Sequence, residues 1–164
     1  MNYEIIPYQI YTDGAAKGLN PARRAGGWAF ILRYDDKTCI AASGSAPRTT
    51  NQRMELQAVI EGIRTAHHYA QNRPSATYEI YSDSAYLINC YEEQWYARWE
   101  VNGWKNSKGE TVSNSDLWLE LIPYFRNKRY SFYKVQGHAD DQYNNEADRL
   151  AQEAASRQLL RGDY

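Results

Sequence analysis

The stretch Gln9–Gly18, QIYTDGAAKG, places an acidic residue directly after a run that predicts a core strand. Asp-Gly is a common turn signal, so Asp13 alone suggests a turn. A second stretch, Glu79–Leu87 (EIYSDSAYL), repeats the arrangement: Ile-Tyr, a small hydroxyl residue, and then Asp83. Asp83 alone suggests a helix N-cap. Two strands that each deliver a carboxylate in the same local setting indicate a shared site.

Length and composition indicate one globular domain. The chain has 164 residues, of which 43% are apolar, and its 19 basic and 20 acidic residues nearly cancel. The net charge of the chain therefore gives no indication of a nucleic-acid partner. Two cysteines are too few for a disulfide framework, and no segment resembles a signal peptide or a membrane span. We expect a single domain over 1–164, with its core at about 4–158, in a cytoplasmic monomer without a membrane partner.

Periodicity predicts the order of the elements. Leu56, Val59 and Ile63 share one face of a helix at about 100° per residue. The segment 95–114 is predicted to be irregular. The predicted strands are 4–12, 27–34, 38–46, 77–82 and 130–136; the predicted helices are 51–70, one after Asp83, 115–125 with Ser115 as N-cap, and 145–160. This order predicts an α/β fold whose mixed sheet joins an antiparallel meander to parallel strands, flanked by helices.

Two further acids flank the apolar faces of the predicted helices. Glu55 lies in the first long helix, where an acid also favours the helix dipole. Asp148 lies in the last helix, where a solvated position is the ordinary alternative. Ligand sites in open α/β sheets gather at the carboxyl ends of strands. If the four acids converge, divalent cations would relieve their repulsion, and two such ions suit a phosphodiester displacement.

The chain resembles the type 1 ribonuclease H family from Tyr11 to about Arg157. The matching motifs are YTDG, TTNQRMEL, YSDSAYLIN, NGWKNSKGETVSNSDLW, GHAD and NNEADRLA. The resemblance implies a five-stranded mixed sheet flanked by helices. It also implies an endonuclease that hydrolyses the RNA strand of RNA–DNA hybrids with two Mg²⁺ ions, with Mn²⁺ as a substitute. The expected products carry 3′-hydroxyl and 5′-phosphate ends.

The resemblance also assigns roles to individual residues. Its metal-binding catalytic carboxylates match Asp13, Glu55, Asp83 and Asp148. Its loop histidine, which assists proton transfer or product release, matches His138; the alternative is a solvent-exposed loop residue. The implied substrate contacts are Arg48, Thr50 and Asn114 at a DNA-strand phosphate, Asn51 and Gln52 near RNA 2′-hydroxyls, Trp95, Trp99 and Lys105 in a substrate-binding segment, and Asn20.

The chain departs from the family pattern at two places. The loop between Asp13 and Gly27 is longer than the short glycine-rich form of bacterial members and carries Arg23 and Arg24. The match of Asn20 to the family's substrate contact depends on how this longer loop is aligned. The substrate-binding segment 92–110, which we call the handle, carries three basic and four acidic residues, whereas some relatives have a strongly basic one. The departures concern the strength of hybrid binding rather than the chemistry.

Three other interpretations remain. A different nuclease of the same superfamily is opposed by TTNQRMEL and by the handle sequence NGWKNSKGE. A catalytically dead hybrid-binding or protein-interaction domain is opposed by the presence of all four carboxylates. A fragment of a reverse transcriptase is left open, because its catalytic domain would look similar.

Overall fold

The computed structural model describes residues 5–18, 24–136 and 141–161. Its elements, in chain order, are β1 (Tyr8–Lys17), β2 (Ala25–Tyr34), β3 (Lys37–Pro47), α1 (Asn51–Tyr69), β4 (Tyr78–Ser82), α2 (Ala85–Glu93), α3 (Trp95–Val101), α4 (Ser115–Phe125), β5 (Tyr130–Lys134) and α5 (Gln142–Leu160). Among the helices in these ranges, none is long and apolar enough to cross a membrane.

The five strands form one mixed sheet in the order β3-β2-β1-β4-β5. β1, β2 and β3 pair antiparallel, whereas β4 pairs parallel to both β1 and β5. Asp35 and Asp36 turn the chain between β2 and β3 with φ of 51° and 63°. Asp tolerates this left-handed backbone, which tight two-residue hairpins require. The predicted five-stranded mixed sheet is confirmed.

Helix α1 covers one face of the sheet. It begins at Thr50, whose side-chain oxygen accepts a hydrogen bond from the Arg53 N–H at 3.1 Å. Its apolar side packs with Ile10 and Phe30 in the main core. A Cβ on Gly62 of α1 would lie 2.6 Å from an Ile10 methyl group, so glycine permits this close approach.

Helix α5 lies on the opposite face, because side chains alternate between the faces of a strand. Ala15 of β1 and Ala29 of β2 pack with Ala151 and Ala155 of α5 in a second, smaller cluster. A Cβ on Gly27 would lie 2.2 Å from the Ala151 carbonyl oxygen. Small residues on both sides therefore bring α5 almost onto the backbone of the sheet.

Several boundaries differ from the sequence prediction; α5, for example, begins at Gln142 and not at 145. Three further differences have a physical reason. β1 begins at Tyr8 and continues to Lys17, beyond the predicted 4–12, because its pairing with β2 extends to Lys17↔Ala25. The predicted irregular segment contains helix α3, which begins after Gln94 in a left-handed conformation. Helix α4 has Asn114, not Ser115, as its N-cap. Asn114 has φ of 63°, which asparagine adopts more readily than serine.

Candidate active site

Three acidic side chains meet at one edge of the sheet. Asp13, Glu55 and Asp83 each offer a carboxylate oxygen, and these oxygens lie within 4.8 Å of one another. They come from β1, from α1 and from the connection between β4 and α2. Asp13 is buried, Glu55 is half-buried and Asp83 is exposed. The cluster therefore opens to solvent on one side, where a substrate can reach it.

The parallel pairing of β1 and β4 explains why the two aspartates are neighbours. Its last register pair is Thr12↔Ser82, and Asp13 and Asp83 follow directly. The Thr12 hydroxyl donates to the Tyr81 carbonyl at 3.1 Å, which links the two strands at this point. Asp13 does not end its strand as the sequence suggested, since β1 continues to Lys17 beside β2. It ends only the parallel part of the pairing.

Gly14 brings Glu55 to the same place. A Cβ at Gly14 would lie 2.3 Å from the Glu55 backbone nitrogen and 2.4 Å from the Met54 carbonyl carbon. The backbones of β1 and α1 can therefore touch only because this residue is glycine. Taken alone, Asp13-Gly14 suggested a turn, and this role of Gly14 was not predicted. A glycine within an apolar strand was the available signal for a close backbone approach.

Asp148, the fourth predicted acid, reaches the cluster from α5. Its side chain forms a hydrogen bond with the Asp13 carboxyl, and its charge acts on Asp83. Asp148 itself is exposed. The structure thus brings all four predicted carboxylates to one edge of the sheet, with Asp148 outside the tighter group of three.

The acids raise one another's pKa values. Burial, the hydrogen bond with Asp148 and the charge of Asp83 raise the pKa of Asp13 well above its usual range. Burial, and then the charge of Asp83, raise the pKa of Glu55, against a hydrogen bond with Ser84. Burial and the charge of Asp148 raise the pKa of Asp83, against its hydrogen bond with Asp13 and the Lys134 charge. Such a cluster favours a divalent cation with oxygen ligands.

Ser84 favours the ionised form of one of these acids. Its side chain caps α2 by accepting a hydrogen bond from the Leu87 N–H at 3.1 Å, and it also bonds the Glu55 carboxylate. A serine hydroxyl can accept one bond and donate another, so both contacts are compatible. Asp83 taken alone suggested the cap of this helix, but the cap is Ser84. Moving the cap to Ser84 leaves the Asp83 carboxylate in the cluster.

Two of the predicted phosphate contacts lie at neighbouring helix starts. Thr50 caps α1 and Asn114 caps α4, and Arg53 bonds both residues. Arg48 is exposed with φ of 49°, and its N–H donates to the Arg24 carbonyl at 2.7 Å. Arg48 precedes Thr50 by two residues, so it lies at the same end of α1.

The other predicted substrate contacts divide between α1 and the handle. Asn51 and Gln52 are exposed at the start of α1, and the Asn51 Oδ1 accepts from the Ala16 N–H at 2.5 Å. Lys105 is exposed and donates to the Thr111 hydroxyl at 3.2 Å. His138 and Asn20 lie outside the described residues.

The handle tryptophans belong both to a groove and to the core. Trp95 and Trp99 help line a groove of about 510 Å³, and their ring centroids are 6.2 Å apart. Trp99 also packs 5.8 Å from the fully buried Trp118. The Trp95 Nε1 donates to Glu93 at 2.7 Å. The two alternatives weighed for these residues, a small core or a binding surface, are therefore compatible.

Comparisons with known proteins agree on one family. A family model described as RNase H matches residues 7–156. A protein named Ribonuclease H from Thermoanaerobacter sp. (strain X514) is 45% identical over 157 residues, which cover 96% of this chain and 95% of the relative. A protein of the same name from Syntrophomonas wolfei subsp. wolfei is 46% identical over 145 residues, 88% of this chain and 93% of the relative.

Solved structures share the fold. LC9-RNase H1, described as a type 1 RNase H with the type 2 active-site motif, has a TM-score of 0.77 at 26% identity, covering 96% of this chain and 76% of that chain. A foamy viral protease-reverse transcriptase in complex with RNA/DNA hybrid has a TM-score of 0.75 at 20% identity, covering 93% of this chain and 20% of that chain. The second similarity concerns the fold alone.

Proposed function

Because the chain belongs to the ribonuclease H family, we propose that Asp13, Glu55, Asp83 and Asp148 form the active site at which it hydrolyses the RNA strand of RNA–DNA hybrids. Members of this family are metal-dependent endoribonucleases, and so is this chain. The observation that carries the site assignment is the approach of three carboxylate oxygens to within 4.8 Å of one another. Like charges this close are a poor arrangement without a bound cation.

The four carboxylates supply oxygen ligands for two divalent ions, which we propose to be Mg²⁺, with Mn²⁺ as a substitute. When bound, such ions would activate a water for in-line attack and stabilise the leaving 3′-oxygen. Ser84 lowers the pKa of Glu55 and so favours its ionised form, which is the form that binds a cation. His138, by its position in the family motif, moves a proton near the leaving group or helps product release. The products carry 3′-hydroxyl and 5′-phosphate ends, and the 2′-hydroxyl serves recognition.

The proposed hybrid-binding surface extends from the acids along both helix starts. Arg48, Thr50 and Asn114 hold a phosphate of the DNA strand, to which arginine offers a fork of donors and the others neutral donors. RNA 2′-hydroxyls distinguish the cleaved strand. The remaining proposed contacts are Asn51 and Gln52 at those hydroxyls, Trp95, Trp99 and Lys105 in the handle, and Asn20. We further propose that residues 1–164 act as a single domain in a cytoplasmic monomer.

The test is a cleavage assay with four labelled substrates of matched sequence: hybrid, double-stranded RNA, double-stranded DNA and single-stranded RNA. Each is incubated with Mg²⁺ and with EDTA. We expect Mg²⁺-dependent cleavage of the RNA strand of the hybrid alone. Asp13→Asn should abolish it, whereas Asp36→Asn, at the hairpin on the opposite end of the sheet, should not. Equal cleavage of double-stranded RNA, or normal turnover by Asp13→Asn, would refute the proposal.

A second candidate function, hybrid binding without cleavage, predicts a different outcome of the same assay. The wild-type chain would then retain hybrid in a gel-shift experiment and release no product in Mg²⁺ or Mn²⁺. The close approach of the carboxylates favours catalysis over this alternative, because binding a polyanion does not call for a cluster of acids.

A further inference from the structure

The Asn114 side chain is held from both ends of its carboxamide. On one side, Arg53 donates from a terminal guanidinium nitrogen to the Asn114 Oδ1 at 3.2 Å. On the other side, the Asn114 Nδ2 donates to the Tyr86 hydroxyl at 3.0 Å. These contacts join the starts of α1 and α4 to the first turn of α2. Asn114 is half-buried and makes no side-chain cap bond of its own to α4.

The neighbours of this chain of hydrogen bonds allow one orientation of the amide. Arg53 can only donate, and its guanidinium is itself fixed by two bonds to the Asp116 carboxylate, at 3.0 and 2.8 Å. The amide oxygen must therefore face Arg53. At the other end, the Trp118 Nε1 can also only donate, and it bonds the Tyr86 oxygen at 3.1 Å.

One N–H of the Asn114 amide therefore stays available to bind a ligand, and its direction is fixed. Its oxygen is engaged with Arg53, and one of its two amide hydrogens is engaged with Tyr86. Among the described residues, none accepts a hydrogen bond from the second hydrogen. A rotated amide would place its hydrogens against the guanidinium, where both groups donate and repel.

We propose that Arg53 is a positioning residue for hybrid binding: it fixes the Asn114 amide so that the remaining N–H is presented to a phosphate of the DNA strand. Arg53 also bonds the Thr50 side chain through its backbone N–H, so one residue connects two of the proposed phosphate contacts. The proposal rests on the assignment of Asn114 as a phosphate contact in the proposed function. It adds a role for Arg53 that requires no contact between Arg53 and substrate.

The experiment measures KM and kcat of hybrid cleavage for Arg53→Met, which keeps the length of the side chain and removes its donors. We expect KM to rise about tenfold, the value of one hydrogen bond to a charged group, with kcat within about twofold of wild type. Arg53→Lys, still a pure donor, should raise KM less than Arg53→Gln, which can accept as well as donate and so permits the rotated amide.

Arg64→Met is the matched control. Arg64 also joins α1 to α4, through Glu120 at 2.9 Å, and it pairs with Glu61 of its own helix at 3.1 Å, but no described contact links it to Asn114. Like Arg53→Met, Arg64→Met removes one positive charge and an ion pair between α1 and α4. An equal rise of KM in Arg64→Met would show that general loosening of the two helices, or loss of charge, explains the effect. Urea unfolding of each variant checks that the fold is retained.

A double variant separates positioning from direct contact. If Arg53 acts through Asn114, then Arg53→Met should change KM no further in an Asn114→Ala background. Additive effects would mean that Arg53 binds substrate itself and would overturn the proposal, as would an unchanged KM in Arg53→Met. An unchanged KM in Asn114→Ala alone would also overturn it, while the carboxylate assignment would stand on the Asp13→Asn result.

Discussion

At the scale of single residues, the acid cluster destabilises the metal-free fold at neutral pH. The raised pKa of Asp13, caused by burial, Asp148 and Asp83, means that the folded state keeps a proton which the unfolded chain releases near its ordinary value of 3.8. The free energy of unfolding should therefore fall as pH rises above about 4. Asp13→Asn removes this effect. In EDTA at about pH 8, we expect its urea midpoint to exceed that of wild type.

The control for that experiment is Asp36→Asn, an exposed acid of the hairpin between β2 and β3, which should leave the midpoint within about 0.5 kcal/mol of wild type. Saturating Mg²⁺ should reverse the order of wild type and Asp13→Asn, because ions bound to the folded state stabilise it by mass action. Identical midpoints of these two proteins in EDTA would contradict the repulsion argument.

Stability should also depend on pH through His67, which lies at the other end of the sheet. Burial lowers its pKa below the ordinary 6.5, and its Nε2 lies 2.6 Å from the Tyr130 hydroxyl. As pH falls below 6.5, the unfolded chain binds a proton that the folded state resists, so stability is lost. His67→Gln should reduce the slope of unfolding free energy against pH between about 6.5 and 5, by at most about 1.4 kcal/mol per pH unit. His68→Gln, on an exposed neighbour, is the control, and equal slopes in all three proteins would exclude His67.

At the scale of elements, the contact between α5 and β2 positions Asp148. A Cβ on Gly27 would lie 2.2 Å from the Ala151 carbonyl and 2.6 Å from the Ala155 nitrogen, both backbone atoms that cannot rotate away. Gly27→Ala should therefore displace α5 and cost at least about 1–3 kcal/mol. Weaker Mg²⁺ binding, measured by calorimetry on the folded variant, should accompany the loss.

Gly103→Ala provides the comparison for that variant. Its Cβ would meet no atom within 4 Å, although its φ of 66° makes any side chain strained. It should lower stability through backbone strain, by about 1 kcal/mol, without changing Mg²⁺ affinity. A Gly27→Ala protein with the same Mg²⁺ affinity as wild type would show that α5 does not need this close contact to place Asp148.

The elements also show what the sequence can predict. The apolar periodicity of α1 predicted the helix to within one residue of its end, since a long amphipathic face has one clear interpretation. The extension of β1 through Asp13–Lys17 was missed, because small and polar residues there gave no alternation and only the pairing with β2 reveals it. Helix α3 was not predicted, because a helix of seven residues is too short to show a clear apolar period and this one is rich in aromatic residues.

The acids of the candidate site could be predicted from the sequence, whereas the residues that contact them could not. The repeated Tyr-hydroxyl-Asp pattern identified Asp13 and Asp83. Glu55 and Asp148 were candidates because they flank the apolar faces of their helices, and the family motifs then matched all four acids. Gly14 and Ser84 were not predicted, since a close backbone approach and a bond from a cap to Glu55 depend on how the elements pack. Sequence spacing does not carry that information.

At the scale of the whole molecule, the handle predicts a shallow dependence of hybrid binding on salt, because its four acids offset its three bases and few phosphates should be neutralised by it. Each phosphate contact contributes about −0.9 to the slope of log K against log salt for duplex DNA, and we expect about two to four contacts. Lys105→Ala with Lys108→Ala should weaken binding of all hybrid sequences alike and flatten the slope by up to about two units. The measurement uses uncleaved hybrid in Ca²⁺ over a salt series.

Lys37→Ala with Lys128→Ala is the matched control. Lys37 begins β3 at the hairpin and Lys128 lies just before β5, so both are exposed at the end of the sheet opposite to the acids. This control removes the same charge and should leave the slope unchanged. A steep slope that survives in the Lys105 and Lys108 double variant would place the main phosphate contacts outside the handle.

The alanine-lined packing of α5 has a consequence for local opening of the native protein. Alanines bury little apolar area, and they form most of the buried side of α5, whereas α1 buries Leu56, Val59 and Ile63. Amide protons of α5 should therefore exchange with deuterium through openings that cost less free energy than those of α1. Since Asp148 belongs to α5, Mg²⁺ should slow exchange in α5 of wild type and have little effect there in Asp148→Asn. Exchange followed by mass spectrometry would then report occupancy of the acid cluster from a helix on the far side of the sheet from α1.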